Sequence, residues 1–332
     1  MPRRFAYVLL LLIPAVIGLA VFGYRHWGGR EPLTGTGLQV WEPARDLANI
    51  PHYAAAALGC FRAEGLDVTL VTAPKDTIPP EGYRTADVIL GPPEKAWEAG
   101  CPIFAQLTRY QPGFLVAREP KDGFSWNDLR HRGTIGPGPD TGLQTALETI
   151  LRREKLRPQL DAVIIQNLPP YLQLGAYMAG SGSFILSNEP RATALELAGA
   201  GRVVASLTAA GELPGQVCAA NPRAAEKKAD VLAAYTRALV RAHGWLARHS
   251  PREIAALVGP FFPQFNYETL VRMIERGKQC DLWPETPLPD RSQFDALQRI
   301  LVESGELRKP IPFERLVQPR IAAEAVRSQT KS

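Results

Sequence analysis

The chain has 332 residues, of which 45% are hydrophobic and 21% are charged, as in one large or two ordinary globular domains rather than a disordered chain. Its formal net charge is +5, but four arginines and no acidic residue fall within the first 30 residues, so the remainder carries only about +1. No stripe of basic residues interleaved with aromatic ones follows, which argues against a nucleic-acid-binding function.

The N-terminal segment combines Arg3 and Arg4 with an uncharged stretch from Phe5 to Tyr24. Twenty helical residues rise about 30 Å, enough to cross the hydrocarbon core of a bilayer. The preceding arginines favour a cytoplasmic N-terminus and a body on the outer face. The length of the stretch favours an uncleaved signal anchor, while a cleaved signal peptide with a poor cleavage pattern at 21–23 is the alternative. We assign residues 1–30 to this signal and the start of a tether.

Four cysteines, Cys60, Cys101, Cys218 and Cys280, lie in the predicted exported body. They contain no CxxC pair and no histidines stand at metal-ligand spacing, so we predict no metal site. Two disulfides in any of three pairings are possible outside the cytoplasm, and four buried free thiols are the alternative. The five histidines form no recognisable motif with a cysteine or serine, so we predict no catalytic residues.

Strand and helix patterns alternate from residue 38 to about residue 221. This order predicts parallel sheet with right-handed crossovers, in which ligands bind beyond the carboxyl ends of strands. After Asn221-Pro222 the pattern becomes almost wholly helical, with Val231, Tyr235 and Leu239 on one face. This helical tail either forms its own bundle or packs back on the first sheet.

Four segments rich in turn residues stand at predicted strand ends, and they are Trp41-Glu42-Pro43, Gly91-Pro92-Pro93, Gly136 to Gly142 and Ser187-Asn188-Glu189-Pro190. The third precedes a helical pattern, an arrangement that leaves backbone N–H groups pointing out of the turn. It has Thr141 where a dinucleotide fingerprint has its third glycine, and no Walker lysine follows. We therefore predict a small-ligand cleft and no cofactor.

The segment PHYAAAALGCFRAEGLDVTL, residues 51–70, resembles the opening of solute-binding proteins of ABC importers in the nitrate, sulfonate, taurine and thiamine-pyrimidine-precursor group. The segments ADVILGPPEKAWEAG, WNDLRHRGTIGPGPDTGLQTALETILRREKL, SNEPRATALE and AYTRALVRAHGWLARHSPREIAALV are similar to later parts of that family, in the same order. The resemblance covers about residues 38–310. It implies an α/β, two-lobed type II periplasmic-binding clamshell, with residues 38–115 plus 222–320 as lobe one, residues 116–221 as lobe two, and a hinge of two crossing strands.

In such a clamshell the glycine-rich turn would face the cleft. The N–H groups around Gly136 and Gly138, together with Asp140 and Thr141, would bind an anionic or carbonyl oxygen of the ligand. Asp140 or Thr141 would alternatively cap the helix that follows. Gly91 and Pro92 would shape a neighbouring loop of the cleft, and Glu94 would start a helix favourably.

Five more side chains are candidates for ligand contact, and some of them have structural alternatives. Trp41 would stack on a heterocycle or belong to the core of lobe one. The Tyr53 hydroxyl would donate to the ligand. Arg109, in a crossing strand, would suit a sulfonate or carboxylate or form a surface salt bridge at the hinge. Asn188 and Glu189 would bind polar ligand groups, unless Glu189 pairs with Arg191.

These features predict an extracytoplasmic solute-binding component of an ABC importer that captures a small organic anion or a heterocycle. Its partners would be the solute, the permease and ATPase subunits, and the membrane through the N-terminal helix, and the protein would be a monomer. An enzyme on the same fold, of the pyrimidine or menaquinone-precursor biosynthesis type, is the alternative, and the hydrophobic N-terminus argues against it. A sensory ectodomain is a third class, which would need a cytoplasmic partner domain.

Overall fold

The computed structural model describes residues 37–73, 85–138, 142–318, 320, 321 and 325. Within these ranges no helix combines the length and the apolar character that crossing a membrane requires. The predicted N-terminal signal and the residues Asp140 and Thr141 lie outside the described residues.

The first sheet consists of five described strands in the order β2-β1-β3-β10-β4. Its strands are β1 (Gly37–Glu42), β2 (Asp67–Thr72), β3 (Val88–Gly91), β4 (Ile103–Gln106) and β10 (Val217–Ala220). Strand β1 runs parallel to β2 and β3, so that Val40 lies opposite both Leu70 and Val88. Strand β10 runs antiparallel to β3 and β4. The predicted parallel sheet is therefore a mixed sheet.

The second sheet repeats the pattern of the first, in the order β7-β6-β8-β5-β9. Its strands are β5 (Gly113–Ala117), β6 (Gly133–Ile135), β7 (Val163–Ile165), β8 (Phe184–Asn188) and β9 (Arg202–Ser206). Strand β6 is parallel to β7 and β8, whereas β5 is antiparallel to β8 and β9. In each sheet the antiparallel strand is the one that the chain forms after it crosses from the other sheet. It is β10 in the first sheet and β5 in the second.

Helices cover the faces of both sheets. They are α1 (Ile50–Ala57), α2 (Cys60–Ala63), α3 (Pro93–Glu98), α4 (Gly142–Arg153), α5 (Pro170–Met178), α6 (Arg191–Leu197), α7 (Pro222–Lys227), α8 (Ala229–Arg248), α9 (Pro251–Val258), α10 (Tyr267–Gln279), α11 (Arg291–Glu303) and α12 (Phe313–Leu316). Polar residues fix several starts, since Ser250, Asn266 and Asp290 each accept a backbone N–H of the first turn of α9, α10 and α11.

The helical tail packs back on the first sheet instead of forming a separate bundle. Helix α8 buries Leu232, Tyr235 and Leu239 in one core with α1, α2 and the strands of that sheet. Helix α11 goes further, because its Leu297 and Leu301 join the core of the second sheet. The tail therefore contacts both sheets. The four cysteines are free thiols, and three of them are buried.

Two segments, residues 107–112 and 207–216, connect the sheets and lie side by side. The Leu107 N–H donates to the Gln216 carbonyl at 2.8 Å, and the Gln216 N–H donates to Thr108 Oγ1 at 2.9 Å. Further along, Gln111 Nε2 donates to the Pro214 carbonyl at 2.9 Å. Both crossings thus form one paired connection, although neither contains a β-strand.

We expect Gly215→Ala to destabilise the protein, because an added Cβ would lie 2.4 Å from the Tyr110 carbonyl oxygen and 2.7 Å from Pro112 Cδ. Forcing the two crossing segments apart should cost about 1–3 kcal/mol in the free energy of unfolding, measured by urea denaturation. Gly175→Ala is the matched control, since nothing lies within 4 Å of its Cβ position in α5. That variant should gain up to about 1 kcal/mol of helix stability. Equal stabilities for the two variants would contradict the close approach.

Candidate functional site

The carboxyl ends of the two sheets meet at a hydrogen bond between Asp46 and Asn188. Asp46 follows β1, Asn188 ends β8, and Asn188 Nδ2 donates to Asp46 Oδ2 at 2.6 Å. The second oxygen, Asp46 Oδ1, accepts the Ala48 N–H at 2.8 Å and caps the 3-10 helix Leu47–Asn49. The Asp46 carboxylate therefore caps the 3-10 helix that follows β1 and is hydrogen-bonded to the end of β8 in the second sheet.

This contact is polar and poorly solvated. Burial is the main cause that raises the pKa of Asp46 to about 6; its hydrogen bonds with Ala48 and Asn188 lower the pKa, and the nearby carboxylates of Glu42 and Glu189 raise it. Burial also lowers the pKa of Arg191, whose charged form is favoured by Asp46. Because these groups are buried, water screens their charges only weakly. A polar ligand group bound here would therefore interact strongly with these side chains.

Arg276 of α10 joins the helical tail to the second sheet. Its guanidinium pairs with Glu189, which follows β8, and with Glu196 of α6 at 2.5 Å, and it donates to Thr193 Oγ1 at 3.0 Å. Glu189 is 5% exposed and also accepts the Thr193 N–H at 3.0 Å. Glu189 therefore pairs with Arg276, and the alternative pairing with Arg191 that the sequence suggested is wrong.

Glu42, the last residue of β1, organises the loop that leads to Asp46. Its fully buried carboxylate accepts the Tyr53 hydroxyl at 2.5 Å, Asn49 Nδ2 at 2.9 Å and Thr72 Oγ1 at 2.7 Å. Arg45 adds an ion pair at 2.8 Å. With four partners, this carboxylate is fully used within the fold.

A cavity of about 10 Å³, room for about one water, lies beside Asp46. Its lining comes from both sheets and the helical tail, namely Asp46, Leu47, Ala48, Pro112, Phe114, Glu189, Met273, Gly277, Leu282 and Trp283. Trp283 Nε1 donates to the Leu47 carbonyl at 3.1 Å, which fixes the indole as one wall. The sheets are therefore in close contact at this point.

Gly142, the last residue of the glycine-rich turn, lies against a crossing segment. A Cβ at Gly142, where α4 begins, would lie 2.6 Å from Gln111 Nε2, so the helix start and the crossing approach each other closely. Gly138 has a φ of +110°, a left-handed conformation that favours glycine. The Gly136 N–H donates to the Ile165 carbonyl at 3.1 Å, so it is not one of the outward-pointing donors that the sequence predicted.

Two predicted contact residues have partners within the fold. Trp41 is 8% exposed and packs in a core cluster with Ile89 and Phe294. Tyr53 is fully buried and directs its hydroxyl to Glu42. These two side chains correspond to structural roles and not to a surface that faces a ligand.

Arg109 forms the surface salt bridge that was its alternative role. It pairs with Asp281 at 2.5 Å, where the two side chains are 28% and 63% exposed. It lies in a crossing segment but not in a strand. Gly91 ends β3 opposite Val217, and Pro92, with φ −70°, directly precedes α3.

The site contains two residues that the sequence did not single out, Asp46 and Arg276. Asp46 had a local signal, because aspartate before a short helical turn is a typical N-cap. Arg276 had none, since its partner Glu189 is 87 residues away in the chain. Glu94 was predicted only to favour the start of a helix.

Comparison with known proteins identifies a relative by sequence. No protein-family model matches the chain. A curated protein of Bacillus subtilis (strain 168), named "Putative binding protein YtlA", is 31% identical over 303 residues, which cover 88% of this chain and 91% of the relative.

Solved structures share the fold at lower identity. The ligand-binding component of an ABC-type import system from Staphylococcus aureus has a TM-score of 0.70 at 12% identity, covering 87% of this chain and 99% of that one. The aliphatic sulphonate-binding protein SsuA from Escherichia coli has a TM-score of 0.64 at 16% identity, covering 86% and 93%. The desulfurization enzyme DSZB has a TM-score of 0.62 at 12% identity, covering 88% and 99%.

These structures confirm the predicted α/β, two-lobed type II periplasmic-binding fold. The relative at 31% identity over most of both chains goes beyond the fold. The chain belongs to the family that includes the putative binding protein YtlA, in keeping with the resemblance in its sequence.

Proposed function

We propose that the protein is the extracytoplasmic solute-binding component of an ABC importer and captures a small organic solute between its two lobes. The observation that carries the proposal is the meeting of the two sheets' carboxyl ends at Asp46 and Asn188. Ligands of open α/β sheets bind at such ends, and the paired crossings provide a connection about which the lobes can move.

Two of the arginines near this contact already form ion pairs, and the charged form of a third, Arg191, is favoured by Asp46. Arg45 pairs with Glu42, and Arg276 pairs with Glu189 and Glu196. A sulfonate or carboxylate ligand would have to compete with these carboxylates for the guanidinium groups. This arrangement favours a heterocycle or another ligand with polar N–H groups over a small anion.

The remaining features of the proposal follow from the sequence. The lobes would comprise residues 38–115 plus 222–320 and residues 116–221, with α11 packed on both. The N-terminal segment would hold the body at the outer face of the membrane, where a monomer would deliver its solute to the permease and ATPase subunits. An enzymatic function is not favoured, although DSZB shares the fold.

We expect solute binding to raise the thermal stability of the full-length protein. A ligand at 100 times its dissociation constant should add about 2.7 kcal/mol to the free energy of unfolding. Differential scanning fluorimetry with heterocycles, amines, sulfonates and nitrate would measure this effect. A complete panel without stabilisation would count against a solute receptor.

Asn188→Ala tests the site itself. Loss of the strand-end amide should reduce the stabilisation by the ligand, whereas Asn127→Ala, at an exposed position of the second lobe, should leave it unchanged. Equal stabilisation of both variants would remove Asn188 from the binding site.

Arg276→Met should weaken the contact between the helical tail and the second lobe. It leaves the carboxylates of Glu189 and Glu196 without their cation, which should cost about 3–5 kcal/mol in urea denaturation. Arg252→Met is the control, because Arg252 and Glu268 are 61% and 67% exposed, and breaking that pair should cost less than about 1 kcal/mol. Small-angle scattering should show a larger radius of gyration for the Arg276 variant only. Similar costs for both variants would contradict the proposed role of Arg276.

A further inference from the structure

Glu94 lies at the carboxyl end of β3, and its carboxylate accepts no hydrogen bond from another described residue. It is the second residue of α3 and follows the Gly91-Pro92 turn. Both of its carboxylate oxygens are buried, and no other residue of the described chain donates a hydrogen bond to them. The indole Nε1 of Trp97 is likewise buried without an acceptor. Since residues three apart lie on the same side of a helix, α3 presents an acceptor and a donor together.

The position of Glu94 faces the junction between the lobes. Glu306, which follows α11, lies near enough to repel the Glu94 carboxylate. Glu306 in turn accepts a hydrogen bond from Thr145 Oγ1, in the first turn of α4, at 3.4 Å. Trp97 packs against the core of the second sheet and against the α11 side of the first sheet. Elements of both lobes therefore surround this carboxylate.

A purely structural role does not explain Glu94. Burying a charge without a partner is unfavourable, and the other carboxylates at this edge have donors. Glu42 has four partners, Asp46 accepts two hydrogen bonds, and Glu189 is bound to Arg276 and Thr193. Other residues thus donate hydrogen bonds to the carboxylates of Glu42, Asp46 and Glu189. No other described residue donates one to Glu94.

We propose that Glu94 receives a protonated amine or amidinium group of the solute, with Trp97 Nε1 donating to an acceptor atom next to that group. Glu306 lies on the same side and adds negative charge. The proposal rests on the proposed function and specifies the ligand class as an organic cation. The ion pairs of Arg45 and Arg276 favour a ligand with N–H groups, and the proposal narrows this preference to a cationic ligand.

Glu94→Gln is the decisive variant, with Glu98→Gln as its control. Glu98 lies on the same helix but is exposed, and it pairs with Lys95 at 2.9 Å. The probes are benzamidine, agmatine and tryptamine as cations, benzamide as the neutral counterpart of benzamidine, and taurine and benzenesulfonate as anions. Fluorimetry and titration calorimetry on the full-length protein give the affinities.

At least one cationic probe should bind the wild type, and its affinity should fall at least tenfold in Glu94→Gln and less than twofold in Glu98→Gln. Without ligand, Glu94→Gln should melt at the same temperature as the wild type or higher, because it removes an unpaired buried charge. A lower melting temperature of the free variant, or equal cation binding by both variants, would overturn the assignment. Binding of anions or neutral probes alone would overturn it while leaving the solute-receptor function intact, and the absence of any binding would overturn both.

The affinity for benzamidine should also depend on pH. Burial is the main cause that raises the pKa of Glu94 to about 7; the charges of Glu306 and Glu98 act in the same direction, whereas its own backbone N–H and Lys95 act in the opposite one. A cation needs the ionised carboxylate, so the affinity should rise about tenfold from pH 6 to pH 8 as Glu94 loses its proton. The stability of the free protein should change the opposite way, declining as pH rises from about 4.5 to about 7. An affinity that rises equally in Glu94→Gln would contradict the role of this group.

Discussion

The pairing of the two crossing segments is the constraint on which the rest of the structure depends. Gly215 approaches the Tyr110 carbonyl so closely that no side chain fits between them, and Gln216 bonds both Leu107 and Thr108. This close pairing accompanies the contact of the carboxyl ends of β1 and β8 at Asp46 and Asn188. The residues that follow a strand lie at the edge of its sheet, so the site is built from the loops at these edges. Local sequence determines the conformation of each loop, and the crossing segments bring the loops together.

Local sequence determines much of this fold. Alternation of strand and helix patterns predicted α/β layers, though with parallel strands only, and turn residues located four strand ends, because both signals depend on neighbours within about ten residues. The reversed strands β5 and β10 were not predictable in this way. Each enters its sheet only after a crossing from the other lobe, so its direction depends on topology and not on its own composition.

The side chains at the site also divide into those that local sequence predicts and those whose role depends on distant parts of the chain. Asp46 carried an N-cap signal, but its contact with Asn188 spans 142 residues of sequence. Trp41 and Tyr53 have the chemistry of ligand contacts, yet the core and the buried Glu42 use them instead. The residue type shows which side chains have groups that can bind a solute. Only the three-dimensional structure shows which of these groups are already packed or hydrogen-bonded within the fold.

The balance of charge at the cleft distinguishes ligand classes more sharply than the fold does. Arg276 meets two carboxylates, so an anion would gain its guanidinium only by releasing Glu189 or Glu196, and a buried carboxylate so released would lose its counter-ion. A cation at Glu94 displaces no other side chain, because no other described residue donates to that carboxylate. The same two-lobed frame that holds a sulphonate in other proteins can therefore select the opposite charge, if arginines such as Arg276 are neutralised from within and one carboxylate is left for the solute.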